Sequence, residues 1–169
     1  MLLSIFFLTF ALYLGTGLFG RPIHGLIYSY LPPKLSEEVG LISEANGGEE
    51  QKWFTNLDEA FVEANMERKN IFLDFTGYTC TNCRWMESNI FTKDEVKKRF
   101  DKYILVRLYT DGGKNYRENQ QYEIDRFGTA ALPYYVLLSP EDDVLGKFPG
   151  MTRDLEVFLT FLDKGIKVK

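Results

Sequence analysis

Ile71-Phe-Leu-Asp-Phe-Thr-Gly-Tyr-Thr-Cys80-Thr-Asn-Cys83-Arg-Trp-Met-Glu87 contains both cysteines of the chain, with two residues between them. Ile71, Phe72, Leu73 and Phe75 form an apolar run of the kind a buried strand needs, and Asp74 interrupts it. A helix-compatible segment follows, from Arg84 to Phe91. The cysteines therefore fall where a strand turns into a helix. That position exposes them and aims the helix's unpaired N–H groups at the first sulfur. A thiolate there gains from the partial positive charge of the helix end. Reversible dithiol–disulfide chemistry needs this arrangement, with Cys80 as the exposed nucleophile and Cys83, one turn on, as the more shielded resolving thiol.

Other roles for the pair are weaker. A zinc site needs four ligands, and the chain has no third cysteine. Its single histidine, His24, is far away in sequence. A structural bridge across so short a loop restrains the unfolded chain little. Nor can the chain assemble a Ser/His/Asp triad or a Cys/His pair around these thiols. Its 169 residues suit one globular domain plus extras, and 45% hydrophobic and 15% aromatic residues are enough for a core. A net charge of −4 offers no basic field to nucleic acid. The reading calls for no metal and no cofactor: the chemistry runs on the thiols.

Residues 1–20, MLLSIFFLTFALYLGTGLFG, carry no charge, and their length matches the roughly 20 residues that span a bilayer as a helix. A cleaved signal peptide would want a basic start and a small-x-small cleavage site, so a retained transmembrane helix is expected. Tyr13, Tyr28 and Tyr30 suit a membrane interface. Arg21 and Lys34 follow the span and lean toward a cytoplasmic C-terminal side. Residues 21–50 read as a juxtamembrane segment and an acidic linker, with Pro32-Pro33 breaking any helix and Gly47-Gly48 loosening the chain.

The globular pattern occupies 51–169. It reads as a short strand at 52–54, a helix at 57–67 capped by Asn56, the strand at 71–76, and the helix after the cysteines. Thr92-Lys-Asp-Glu95 has the spacing of a capping box and predicts a helix to about Phe100. A strand at 103–109, a helix at 115–127 ended by Gly128, a strand at 134–138, a turn, a strand at 144–148 and a helix at 154–162 complete the order. Strands alternating with helices and ending in a hairpin predict an α/β fold, a mixed central sheet with helices on both faces.

This order, with C-x-x-C after the second strand, resembles thioredoxin. Asp74, six residues before Cys80, matches the buried acid of that family, and Pro133, after Ala131-Leu132, matches its cis-proline facing the disulfide. A narrower resemblance is to the C-terminal domain of the DsbD-type transmembrane thiol:disulfide interchange proteins. It rests on "FLDFTGYTCTNCRWME", "RLYTDGG" and "GTAALPYYVLLSPEDD", on Glu87 as a second acid, and on "LYLGTGLFGRPIHGLIYSYLPP" as a membrane-exit segment. The sequence departs at Thr79, where the family usually has an aromatic residue, and at Thr81-Asn82, where thioredoxin has Gly-Pro. The family's membrane domain has several helices and its own cysteine pair, so this chain is expected to be a fragment or the partner of a separate membrane electron carrier.

The resemblance implies a protein-disulfide reductase in the inner membrane, with its domain on the periplasmic side. Its partners would be disulfide-bonded client proteins and a membrane electron donor. Cys80 and Cys83 would exchange electrons, Asp74 would exchange a proton with Cys83, and Glu87 would raise the thiol pKa values by repulsion. Tyr78, Thr79, Leu132 and Pro133 would contact the client. Alternative readings are a Cu(I)-binding C-x-x-C module, an oxidase or isomerase of the same fold, and a non-catalytic membrane-anchored adaptor.

Overall fold

A computed structural model of the chain describes residues 2–18 and 51–167. The expected linker, with His24, Tyr28, Tyr30 and Pro32-Pro33, lies outside the described residues. The chain forms two compact units, divided between Leu31 and Pro32.

The first unit contributes α1, Leu2–Leu18, of 17 residues. Its side chains from Leu3 to Leu12 are all exposed, and they are apolar apart from Ser4 and Thr9. The Thr9 hydroxyl donates back to the Ile5 carbonyl at 3.0 Å, which hides its polarity against the helix. A helix thus occupies most of the stretch where a transmembrane helix over 1–20 is expected. At 1.5 Å per residue, however, its 17 residues reach about 26 Å, short of the roughly 30 Å of a hydrocarbon core. No helix among the described residues is long and apolar enough to cross a membrane.

The second unit is built on five strands in the order β1-β3-β2-β4-β5. These are β1 (Trp53–Phe54), β2 (Asn70–Thr76), β3 (Tyr103–Tyr109), β4 (Tyr134–Leu138) and β5 (Val144–Pro149). The helices are α2 (Leu57–Glu67), α3 (Thr81–Asn89), α4 (Asp94–Phe100), α5 (Tyr116–Phe127) and α6 (Leu155–Lys167). β2 lies at the centre, parallel to β3 and antiparallel to β4. The sheet is thus mixed, as the hairpin at the end of the sequence predicts.

Alternation along β2 divides the core in two. Ile71, Leu73 and Phe75 face α2 and α5, where Ala60, Ala64, Tyr122 and Phe127 cover them. Phe72 faces α3, α4 and α6 and packs with Met86, Phe91, Phe100, Tyr135 and Phe158. Its ring centroid is 4.8 Å from that of Phe100 and 5.7 Å from that of Tyr135. Asp74 and Thr76 share the face of Phe72 by the same period of two. The acid that interrupts the apolar run thus points toward the cysteine helix, and that is how the fold positions the site.

Most element bounds agree with the pattern reading to within a residue or two, with three differences. α3 begins at Thr81, three residues before the expected start, because Cys80 itself serves as its N-cap. The capping box at Thr92 does not form: the Thr92 hydroxyl donates to the Ser88 carbonyl at 3.0 Å, and Lys93 caps α4 without a side-chain bond. α6 runs on to Lys167, past Gly165. A Cβ on Gly165 would lie 2.6 Å from the Tyr103 hydroxyl oxygen, so the glycine lets helix and ring meet.

Candidate active site: the Cys80–Cys83 turn and the charges beneath it

β2 ends at Thr76, and five residues later, at Thr81, the chain enters α3. Cys80 and Cys83 form a disulfide, with Cα atoms 5.3 Å apart. The Cys83 backbone N–H donates to Cys80 Sγ at 3.1 Å. This is the bond a helix N-terminus offers an anion, and in the reduced protein it favours the Cys80 thiolate. Cys80 is half-buried, while Cys83 is 1% exposed. Only the first sulfur is open to a partner.

A shallow groove beside Cys80 is lined by Thr79, Thr81, Asn82, Asp111, Ala130 and Leu132. Of the expected client contacts, Thr79 and Leu132 lie on it and the other two do not. Tyr78 stacks on Tyr109, with ring centroids 4.2 Å apart. Pro133 is buried, and the Leu132–Pro133 bond is cis, the geometry the resemblance implies. The Pro133 carbonyl already accepts the Gly150 N–H at 2.8 Å, and proline has no N–H of its own.

Asp111 holds the loop before Cys80 in shape. Its Oδ1 accepts the Tyr78 N–H at 2.6 Å, and its Oδ2 accepts the Thr79 N–H at 2.9 Å and the Thr79 hydroxyl at 2.7 Å. Partial burial works against the charge, but these bonds outweigh it and hold the Asp111 carboxyl below the usual range. In the sequence Asp111 reads only as the start of an Asp-Gly-Gly turn.

Between β2, β3 and α3, the helix that the cysteines open, lies a chain of four charged side chains. Asp74 is 1% exposed, and its Oδ2 accepts Arg107 Nε at 3.2 Å. Among the described residues its Oδ1 has no hydrogen-bond partner. Arg107 Nη2 lies 3.8 Å from Glu87 Oε1, and Arg84 Nη1 donates to Glu87 Oε2 at 2.6 Å. Arg84 Nη2 also reaches the Gly77 carbonyl at 3.3 Å. Burial pushes the Asp74 carboxyl up to about 7, with the Glu87 charge adding to the rise and Arg107 opposing it. The fold therefore joins Asp74 and Glu87 through Arg107. Two guanidiniums, those of Arg84 and Arg107, thus face Glu87.

The sequence reading assigns no site role to Arg84 or Arg107. Arg107 leaves a signal in the sequence, as the one charge inside the apolar run Tyr103–Tyr109. Its pairing with Asp74 follows from the parallel register of β2 and β3, which places the two residues side by side.

A family model described as Thioredoxin-like matches residues 52–140. The thiol:disulfide interchange protein DsbD of Campylobacter jejuni is 23% identical over 83 residues, which are 49% of this chain and 15% of that protein. The chain thus spans a small part of the length of the curated relatives it matches. Among solved structures, a thioredoxin from Thermus thermophilus has a TM-score of 0.59 at 19% identity, covering 69% of this chain and 87% of its own. The oxidised DsbD C-terminal domain of Neisseria meningitidis has a TM-score of 0.56 at 18% identity, covering 68% and 99%. At these identities the structural likeness concerns the fold.

Proposed function

The chain belongs to the thioredoxin-like family, and from that premise we propose that it is a membrane-attached thiol:disulfide oxidoreductase that reduces disulfides of extracytoplasmic client proteins. One observation carries the reading. The two sulfurs are bonded to each other at a helix N-terminus, with Cys80 open to a groove and Cys83 covered.

The exchange is balanced as follows. The Cys80 thiolate attacks one sulfur of the client disulfide; that S–S bond breaks, a mixed disulfide forms, and the first client sulfur leaves as a thiolate that takes up a proton. Cys83, deprotonated, then attacks Cys80 Sγ. The Cys80–Cys83 bond forms, and the second client thiol leaves. The client gains two electrons and two protons. A dithiol donor, itself oxidised to a disulfide, returns the chain to the reduced state. Membrane attachment through the uncharged residues 1–20 would raise the local concentration of a membrane-embedded donor, and the acidic stretch before Gln51 would supply reach.

The direction of flow is tested by equilibrating the Cys80–Cys83 couple with glutathione. A reductant requires a potential nearer the thioredoxin value of about −270 mV than the DsbA value of about −120 mV. A result near the latter makes the protein an oxidant. A reporter fused after Lys169, active only outside the cytoplasm, tests the side of the membrane.

A further inference from the structure

The four buried charges are not equivalent. Glu87 receives Arg84 at 2.6 Å on one oxygen and lies 3.8 Å from Arg107 on the other. The Thr76 hydroxyl adds a long contact at 3.5 Å. Among the described residues Asp74 has one hydrogen bond, from Arg107 at 3.2 Å, and its other oxygen has none. Arg84 is itself buried, 5% exposed, which an arginine rarely is unless it is paired. Besides Glu87 it holds the Gly77 carbonyl, which also accepts the Cys80 N–H at 3.2 Å. Arg84 therefore touches both the loop that carries Cys80 and the acid that shares Arg107 with Asp74.

We propose that Arg84 is a positioning residue: by anchoring Glu87, it leaves Asp74 as the one acid of the network that takes up and returns a proton while the cysteine pair cycles. The inference rests on the disulfide-exchange reading above. With both acids ionised, two carboxylates face two guanidiniums and the buried set is neutral. Without Arg84 the set would carry one net negative charge, which a low-dielectric interior disfavours. A proton on Asp74 restores neutrality. Without Glu87 the balance reverses, and the surplus positive charge favours ionised Asp74.

The groups facing Asp74 from each packed element are consistent with this. β3 supplies Arg107 and, further along, Tyr109, whose ring lies 5.9 Å from the Arg84 guanidinium. β4 supplies Tyr135, the register partner of Asp74, whose hydroxyl burial pushes well above its ordinary range, so that it stays neutral. α3 supplies Glu87 and Arg84. In the resolving step, with the role the resemblance implies for the buried acid, the Cys83 thiol would give its proton to the Asp74 carboxylate, and the Cys83 thiolate attacks Cys80 Sγ. The Cys80–client bond breaks, and the proton passes from Asp74 to the departing client thiolate.

The test uses the full chain in detergent. Protonated Asp74 is followed by its infrared carbonyl band, assigned by loss of the band in Asp74→Asn. Arg84→Gln should move the midpoint of that band to higher pH, and Glu87→Gln should move it to lower pH, each by about 1 unit or more. Arg84→Lys, which keeps the charge, should return most of the Arg84→Gln shift. The pH profile of mixed-disulfide resolution should follow the same signs. A merely structural role would admit water around Asp74 in both variants and lower both midpoints. Shifts of the same sign, or no shift, overturn the proposal. If Arg84→Gln does not fold, Glu87→Gln decides alone, and an upward shift or none overturns it. Failure of the wild-type chain to reduce any disulfide overturns the functional reading instead, and is seen before a variant is compared.

Discussion

The Asp111 carboxylate closes against Gly77 so tightly that a Cβ on Gly77 would lie 2.6 Å from Oδ2 and 2.8 Å from Cγ. The missing side chain at 77 is what lets the carboxylate reach the N–H groups of Tyr78 and Thr79. Gly77→Ala should therefore push Asp111 out and destabilise the protein. Asp111→Ala should cost about 2 kcal/mol, since hydrogen bonds to a charged acceptor are lost. Urea unfolding measures both, and a Gly77→Ala variant as stable as the wild type would show that the contact holds nothing.

The difference in exposure between the two sulfurs sets an order of reactivity. In the reduced protein, Cys80 should react first with iodoacetamide, and its pKa should lie below the free value of about 8.5. Cys80→Ser should abolish disulfide reduction. Cys83→Ser should accumulate mixed disulfides instead, because nothing resolves them. Mass spectrometry of the labelled peptides gives the order, and prior labelling at Cys83 would reverse the assignment.

Glu123 on α5 is fully buried, and among the described residues neither of its carboxylate oxygens has a hydrogen-bond partner. Burial pushes its carboxyl from 4.5 up to about 7. Between those values the folded chain holds a proton that the unfolded chain has released, so stability falls as pH rises through the window. Below about 4.5 both states are protonated and the penalty vanishes. Glu123→Met removes the titrating group. Its advantage over the wild type should open between pH 4.5 and 7 and reach about 3 kcal/mol at most above it. Thermal melts of both proteins across that range measure the gap. A gap that is constant with pH would place the proton elsewhere.

The N-terminal segment makes a separate prediction. Helix α1 exposes Leu3, Ile5, Phe6, Phe7, Leu8, Phe10 and Leu12. A lipid surface is the solvent such a helix prefers. The full chain should stay with the membrane pellet after alkaline carbonate extraction, and a chain starting at Gln51 should remain in the supernatant. Release of the full chain by carbonate would count against membrane attachment.

The elements and the reactive pair were legible because each leaves a local mark. Asn56 caps α2 where the pattern places it, with its Oδ1 2.9 Å from the Asp58 N–H. Gly128 takes the left-handed conformation at the end of α5, with φ 73°. Asp74 stands out as one acid in an apolar run. What the sequence hides is partnership across distance. Arg107 meets Asp74 only when two strands 33 residues apart adopt one parallel register. Arg84 looks like an ordinary helix cation until Glu87 and Gly77 are folded around it. The box at Thr92 fails for a related reason: the hydroxyl finds the Ser88 carbonyl of the preceding helix before it can cap the next one.

The brevity of β1 has a consequence for how water reaches the buried charges. Two register pairs, Trp53 with Leu105 and Phe54 with Val106, join this edge strand to β3. The Trp53 ring lies 4.3 Å from the Arg107 guanidinium. Opening so short an edge costs far less than opening β2, which is paired on both sides. Hydrogen–deuterium exchange should therefore run fast at Trp53 and Phe54 and slowly from Phe72 to Phe75. A detachment of β1 would lift the indole from Arg107 and open the network to solvent protons from the sheet edge while the central strand stays shut.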